Sequence, residues 1–126
     1  MKSISIVIPT YNERENIEKL IPNVEGVLKR NEIIGEIIII DDNSPDGTGK
    51  LAEELNKKYK NIKVIERKKK EGVGSARRLG FSSAKYEIII SMEGDNTHNP
   101  DYIPLFLKKI EDGADLVIGS RYLRDS

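Results

Sequence analysis

The chain contains no cysteine, so disulfides, thiolate metal sites and cysteine nucleophiles are excluded together. Its single histidine, His98, cannot build a histidine-based zinc site alone. No sign of charge predominates. The 21 Lys and Arg balance 21 Asp and Glu, which argues against a basic nucleic-acid binder and against an acidic tail protein. Long hydrophobic runs are missing as well. Runs such as residues 37–40 fall far short of the about 20 apolar residues that a bilayer-spanning helix needs. The opening Met1-Lys2-Ser3 leads straight into a strand-like run, without the layout of a signal peptide. These features predict a soluble intracellular protein. At 126 residues it is one domain at most, or part of one. A compact chain of this size hides roughly two-thirds of the surface its unfolded form exposes.

What is present is an alternation of apolar runs and helical patterns. Residues 3–8, 36–40, 61–65, 86–91 and 115–118 read as five strands, the first stopped by Pro9. Continuous Ile and Val runs imply burial on both faces, as in a parallel sheet covered by helices on either side. Ile17, Leu20, Ile21, Val24 and Leu28 follow helical spacing after a capping-box-like Asn12 and Glu15, with Pro22 predicted to kink or split the helix. Leu51, Ala52, Leu55 and Tyr59 mark a second helix, and Ala76, Leu79 and Gly80 a third. A fourth begins with Asn99 as cap and Pro100 at its first position, carries Ile103, Phe106, Leu107 and Ile110, and ends at Gly113. The order β-α-β-α-β-α-β-α-β predicts an α/β fold with right-handed crossovers, an open, mostly parallel sheet.

The polar and turn-forming residues collect after the strands. They are Pro9-Thr10-Tyr11-Asn12-Glu13, the stretch from Asp41-Asp42 to Gly49, Gly72-Val73-Gly74-Ser75-Ala76, Glu93-Gly94-Asp95-Asn96-Thr97-His98, and Gly119-Ser120-Arg121. In an open parallel sheet these loops share the carboxyl edge, where ligands bind at the topological switch point. Each has a structural reading beside the functional one. Asp41-Asp42 can be a strand exit, turn and helix cap. Gly72-x-Gly74 lacks the third glycine of a dinucleotide fingerprint and reads alone as a tight turn. Residues 67–70, one Arg and three Lys, read as a solvated loop, with attraction to anionic lipid or diphosphate as the lesser reading. Glu93 and Asp95 are two apart, so they point to one side of an extended segment. Paired carboxylates repel unless a cation sits between them. Hard oxygen ligands suit Mg²⁺ or Mn²⁺ completed by substrate phosphates. That pattern predicts a metal–diphosphate site, against the plainer reading of an acidic turn capping the next helix.

Val7-Ile8-Pro9-Thr10-Tyr11-Asn12-Glu13, Ile40-Asp41-Asp42-Asn43-Ser44-Pro45-Asp46-Gly47-Thr48, Met92-Glu93-Gly94-Asp95 and Gly119-Ser120-Arg121-Tyr122 occur in order. Together they resemble family 2 glycosyltransferases of the GT-A fold, a Rossmann-like nucleotide-diphospho-sugar-binding fold. Within that family they look most like the polyprenyl-phosphate glycosyltransferases, the dolichyl-phosphate mannose synthases among them. The resemblance treats residues 1–126 as one nucleotide-sugar-binding domain, without the acceptor half of a typical member. It implies that Pro9, Tyr11 and Glu13 line the nucleoside pocket and that Asp42, with Ile40 beside it, contacts base or ribose. It implies that Gly74, Ser75 and Arg78 face the donor, that Glu93, Asp95 and Thr97 hold Mg²⁺ or Mn²⁺ and diphosphate, and that Arg121 faces the diphosphate or the acceptor phosphate. Asp95 and Arg121 are then the catalytic residues. Two departures stand out. Glu93 replaces the first Asp of the family's usual Asp-Ala-Asp, and Thr97 stands where Gln or Ser is usual.

The implied activity is inverting transfer of a hexose, mannose favoured, from a nucleotide sugar (GDP-mannose or UDP-glucose) to a polyprenyl or dolichyl phosphate. The implied location is cytoplasmic, peripheral on the membrane's cytoplasmic face. Apolar sheet surface beyond the fifth strand predicts self-association, as a homodimer. The rival from another class is a nucleotide-sugar-binding module without turnover, or half of a split enzyme. A phosphoacceptor receiver domain fits less well, because Pro9-Thr10-Tyr11 stands where its acidic pair belongs.

Overall fold

A computed structural model describes residues 2–68, 72–93, 100–111, 117–118 and 121–122. The elements are β1 (Lys2–Thr10), α1 (Arg14–Arg30), β2 (Ile33–Asp41), α2 (Thr48–Tyr59), β3 (Ile62–Glu66), α3 (Val73–Ser83), β4 (Ile88–Ser91), a 3₁₀ turn at Pro100–Tyr102, α4 (Ile103–Glu111), β5 (Val117–Ile118) and β6 (Arg121–Tyr122). They form one sheet in the order β3-β2-β1-β4-β5-β6. Pairing is parallel from β3 through β5, and β6 runs antiparallel to β5. The chain is thus α/β with an open, mostly parallel sheet, as its Ile and Val runs predict. The unpredicted β6 occupies the outer edge of β5.

Side-chain alternation divides the core in two. Ile4, Ile6 and Ile8 of β1 and Ile37 and Ile39 of β2 face α1, α2 and α4. Val7, Ile38 and Ile40 face α3 through Ala76. Each fully buried isoleucine contributes about 1.5–3 kcal/mol, so the β1–β2 ribbon carries a large share of stability. The chain steps from β1 outward to β2 and β3, then back across to β4. A right-handed crossover therefore puts α3 on the face opposite α1 and α2. It lies close. A Cβ added at Gly80 would stand 2.3 Å from Val7 Cγ1, so only glycine lets this turn of α3 rest on β1.

Three local expectations change. β1 does not stop at Pro9; it stays in register with β2 through Pro9↔Ile40 and Thr10↔Asp41. What stops is its pairing with β4. The Met92 N–H still reaches the Val7 carbonyl at 2.9 Å, so odd-numbered residues of β1 bond toward β4. Pro9 is the next of these and has no N–H to give, which ends the ladder and parts β1 from β4. Pro22 lies inside a single, unsplit α1, on its exposed side, where water can reach the carbonyl it leaves unbonded. The capping box at Asn12 does not form. Asn12 takes φ 55°, and Glu13 is the cap residue without a side-chain cap. The Asn99 and Gly113 boundaries lie outside the described residues. Pro100 opens the 3₁₀ turn, one turn before α4 proper.

At the amino edge Glu36 clamps the entry to β4. Its Oε2 accepts from Ser5 Oγ (2.6 Å) and the Lys85 N–H, while Ser5 Oγ accepts from the Tyr86 N–H at 3.1 Å. Glu25 of α1 is less well served. Asn61 Nδ2 donates to its Oε1 at 2.9 Å, but Glu25 Oε2 and Asn61 Oδ1 are both buried without a partner. Burial raises the Glu25 carboxyl above its ordinary value, partly offset by that hydrogen bond. A raised folded-state pKa stabilises the fold below the unfolded value and loses that contribution as pH rises through the folded value. Glu25→Gln is therefore expected to raise the melting temperature at pH 7, with the gain shrinking as pH falls from the raised folded value toward the ordinary 4.5 and absent below it. Thermal melts of both proteins across pH 4 to 8 check this, and a gain independent of pH would refute it.

Candidate functional site at the carboxyl edge of the sheet

The carboxyl ends of β1, β2, β3 and β4 lie on one edge, and the direction of winding reverses between β1 and β4. That is the topological switch point. The polar loops expected to gather do gather there, where the described residues reach. Much of their chemistry is spent on structure.

The Asp41-to-Thr48 stretch grips the start of α1. Asp41 Oδ1 accepts from Thr10 Oγ1 (2.8 Å) and Ser44 Oγ (2.6 Å), and its Oδ2 accepts from the Ser44 N–H at 3.0 Å. The N–H groups of Asn12, Glu13 and Arg14 then donate in turn to Ser44 Oγ (2.9 Å), Thr48 Oγ1 (3.1 Å) and Asp46 Oδ2 (3.1 Å). These include donors that a helix start leaves orphaned. Here they are satisfied by a loop more than thirty residues away, which replaces the missing capping box. Burial opposes ionisation of Asp46 most strongly. Hydrogen bonds from the Thr48 hydroxyl and the Arg14 and Thr48 N–H groups, with the Arg14 charge, outweigh it and hold the carboxyl below its ordinary value.

Asp42 forms the second cluster. Arg67 meets it through two bonds, Nε to Oδ1 at 2.5 Å and Nη2 to Oδ2 at 2.8 Å, and the two side chains are only 8% and 6% exposed. Arg67 also donates to Ser75 Oγ (2.6 Å) and to the Gly72 carbonyl (3.0 Å), and the Gly72 N–H donates back to Asp42 Oδ2 at 3.3 Å. Gly72 holds φ +97°, a left-handed conformation that suits glycine, and it caps α3. This pair fixes the exit of β2, the exit of β3 and the start of α3 to one another. Arg67 is therefore no solvated loop residue. Its neighbours in the basic run gave it the look of one, and only the approach of β2 and β3 reveals its partner.

The remaining expected residues divide. Pro9 is buried, Tyr11 is 38% exposed, and Glu13 accepts from Asn16 Nδ2 at 2.7 Å. Ile40 is fully buried against α3, so its side chain supports the site from below rather than lying beside Asp42 at its surface. Gly74 and Arg78 are exposed one turn apart on α3. Among the described residues, a Cβ at Gly74 would meet nothing nearer than Arg78 Nη1 at 3.8 Å, which leaves room beside its backbone. Glu93 leaves the end of β4 with Arg77 Nη2 3.6 Å from its Oε1. Arg77 carried no signal in the sequence. Asp95 and Thr97 lie outside the described residues, and of Arg121 only the backbone, in β6, is described. Among the described residues no three His, Cys, Asp or Glu converge as a metal site. Glu93, a hard oxygen donor at the lip of the switch point, has the chemistry a divalent cation takes, but a guanidinium already faces it.

A second concavity of about 430 Å³ lies at the opposite edge, bounded by Lys60, Lys63 and Lys85. Lys60 caps the end of α2, and Lys63 Nζ donates to the Ser83 carbonyl at 3.2 Å, at the end of α3. Lys60 and Lys63 thus serve helix ends, and Lys85 Nζ stands over the Tyr86 ring, 5.4 Å from its centroid, so each has a structural role. No described helix is long and apolar enough to cross a membrane.

Residues 5–126 match the model of glycosyl transferase family 2. A dolichol-phosphate mannosyltransferase from Pyrococcus furiosus is 42% identical over 121 residues, covering 96% of this chain and 34% of its own length. A polyprenol monophosphomannose synthase from Mycolicibacterium smegmatis is 38% identical over 122 residues, covering 94% and 44%. The chain thus spans less than half the length of these relatives. Among solved structures, the mannosyltransferase PcManGT from Pyrobaculum calidifontis, in complex with GDP-Man and Mn²⁺, superposes with a TM-score of 0.67 at 21% identity. The match covers 79% of this chain and 29% of that one. S. aureus TarS 1–349 in complex with UDP-GlcNAc gives a TM-score of 0.67 at 25% identity, covering 89% and 32%.

The Asp42–Arg67 pair makes a measurable demand on stability. Removing one partner of a buried ion pair costs about 3–5 kcal/mol, because the other charge is left desolvated. Arg67→Met is expected to fall in that range by urea denaturation. The double variant Asp42→Asn/Arg67→Met is expected to recover part of the loss. Strictly additive losses would disprove the coupling.

Proposed function

The chain belongs to glycosyl transferase family 2, and on that premise we propose that it is the nucleotide-sugar-binding part of a hexosyltransferase. This transferase moves mannose, with inversion, from a nucleoside-diphosphate sugar to a polyprenyl phosphate. The observation that carries the reading is the crevice itself. β1 stays paired with β2 through Thr10 but with β4 only through Val7, and Tyr11, the Asp42–Arg67 pair, Gly74 and Glu93 follow the strands that end at this edge, which supports the reading. The names of the two relatives favour mannose and a polyprenyl phosphate.

Each group has a task in this reading. Tyr11 offers a half-exposed ring against which a base stacks, and Asp42, held rigid by Arg67, forms the wall beside base and ribose. Gly74 lets the diphosphate approach the start of α3 closely, with Arg78 one turn on as a cation facing it. Ser75 is already engaged by Arg67 and orients that start rather than the donor. Arg121 keeps the role the resemblance implies, a cation for the diphosphate or the acceptor phosphate. Mg²⁺ or Mn²⁺, held by Asp95 with Thr97 nearby, would offset charge on the departing nucleoside diphosphate. A phosphate acceptor has its second pKa near about 6, so it arrives largely anionic and needs no strong protein base. Docking of such a lipid phosphate implies peripheral contact with a membrane.

Calorimetric titration with GDP-mannose and UDP-glucose, each with and without Mn²⁺, tests the reading on wild type and Asp95→Ala. The expected result is metal-dependent binding of one donor, GDP-mannose favoured, lost or weakened at least tenfold in Asp95→Ala. A folded protein that binds neither donor under any condition would overturn it.

A further inference from the structure

Arg77 projects from the first half of α3, one turn before Gly80, the residue that rests on β1. Its side chain is 22% exposed, and its Nε is buried with no hydrogen-bond partner. The carboxylate it pairs with is Glu93, 3.6 Å from Nη2. Ser91 lies on the same face of β4 as Glu93, because residues two apart in an extended chain point alike. Ser91 pairs in register with Val7, whose side chain packs against α3, and its hydroxyl is also buried without a partner. Among the described residues, the space between α3 and the end of β4 therefore holds a half-buried guanidinium whose charge is offset chiefly by one carboxylate, Glu93.

That arrangement bears on the metal. The Arg77 guanidinium brings a positive charge to this end of the site. A divalent cation bound directly to Glu93 would stand beside that positive charge. It would also draw away the counter-ion that offsets the desolvation of Arg77. Both effects oppose coordination by Glu93. We propose that Arg77 is a positioning residue that holds Glu93 off the divalent cation, so that the protein alone offers the cation a weak site which the donor's diphosphate must complete. The proposal rests on the donor-site reading above and departs from the expectation that Glu93 is a metal ligand. The longer reach of Glu over Asp, one methylene, serves the ion pair to α3 rather than the metal.

Titration of Mn²⁺ alone into the nucleotide-free protein, followed by the paramagnetic resonance of free Mn²⁺, reads this without any activity. Arg77→Met keeps the length of the side chain and removes its charge. It is expected to tighten Mn²⁺ binding at least fivefold, and adding Glu93→Gln to it is expected to cancel the gain. Arg77→Lys, which retains the charge, is expected to leave Mn²⁺ affinity unchanged within twofold. Glu93→Gln in the wild-type background is likewise expected to leave Mn²⁺ affinity unchanged within twofold, and it tests the proposal even if Arg77→Met fails to fold. A tenfold loss of Mn²⁺ affinity in Glu93→Gln, or no gain in a folded Arg77→Met, would overturn the proposal. The two readings fail separately. A wild type that binds no nucleotide sugar defeats the donor site, while the Mn²⁺ arms still decide the role of Arg77.

Discussion

The nine-residue parallel pairing of Lys2–Thr10 with Ile33–Asp41 is the constraint on which the rest of the molecule hangs. Both faces of this ribbon are covered, one by α1 and α2 and the other by α3, so along its length only apolar side chains and paired Ser5 are tolerated at the centre. Polar chemistry is pushed to the ends of the strands. At the carboxyl end the ladder delivers Thr10, Asp41 and Asp42 to a place where the backbone runs out of partners and side chains take over. Pro9 adds the decisive local feature. It pairs normally toward β2 and cannot donate toward β4, so the sheet opens on one side of β1 only.

The most distinctive stretch of the sequence, from Asp41 to Thr48, serves this edge as a fastener. Asp46 and Thr48 satisfy N–H groups at the start of α1 and Ser44 that of Asn12 just before it, while Asp42 and Arg67 lock β2, β3 and α3 together. Desolvated polar groups of this kind are expensive when left unpaired, and their joint satisfaction makes the rim of the crevice rigid. On the proposed reading, a rigid rim suits a donor held with its reacting carbon in one place, since binding geometry lost to a loose site is lost from the rate. On the proposed reading, the groups that would meet the donor are fewer than the motif suggests: the Tyr11 ring, the backbone at Gly74, Arg78, and the carboxylate of Glu93 beside Arg77.

Arg67 and Arg77 show how charge is used at this edge. Both are arginines beside carboxylates at strand ends, yet their surroundings differ. Arg67 meets Asp42 with two short bonds in a nearly closed setting, which makes the pair a structural joint. Arg77 meets Glu93 through a longer, partly exposed contact and keeps a buried Nε unsatisfied, which leaves the pair responsive to what enters the crevice.

Local periodicity was enough to read the α/β class, the four helices and the carboxyl-edge clustering, because burial on both faces writes continuous Ile runs and amphipathic helices write 3.6-residue stripes. The family was legible too, since its motifs are short contiguous strings such as Asp41-to-Thr48 and Glu93-to-Asp95. What the sequence could not settle were the questions of partnership across distance. Asn12 and Glu15 spell a capping box, but Asp46 and Thr48 do the capping. Arg67 sits among lysines as though solvated, but β2 brings Asp42 to it. Ile40 follows the motif into the site but faces α3. Arg77 had no local mark at all. Propensity and pattern are written along the chain, so sequence alone determined the four helices, the first five strands and their order, while β6 left no mark of its own. The pairing of a charge depends on which strand ends and helix starts come within reach, and only the folded sheet decided that.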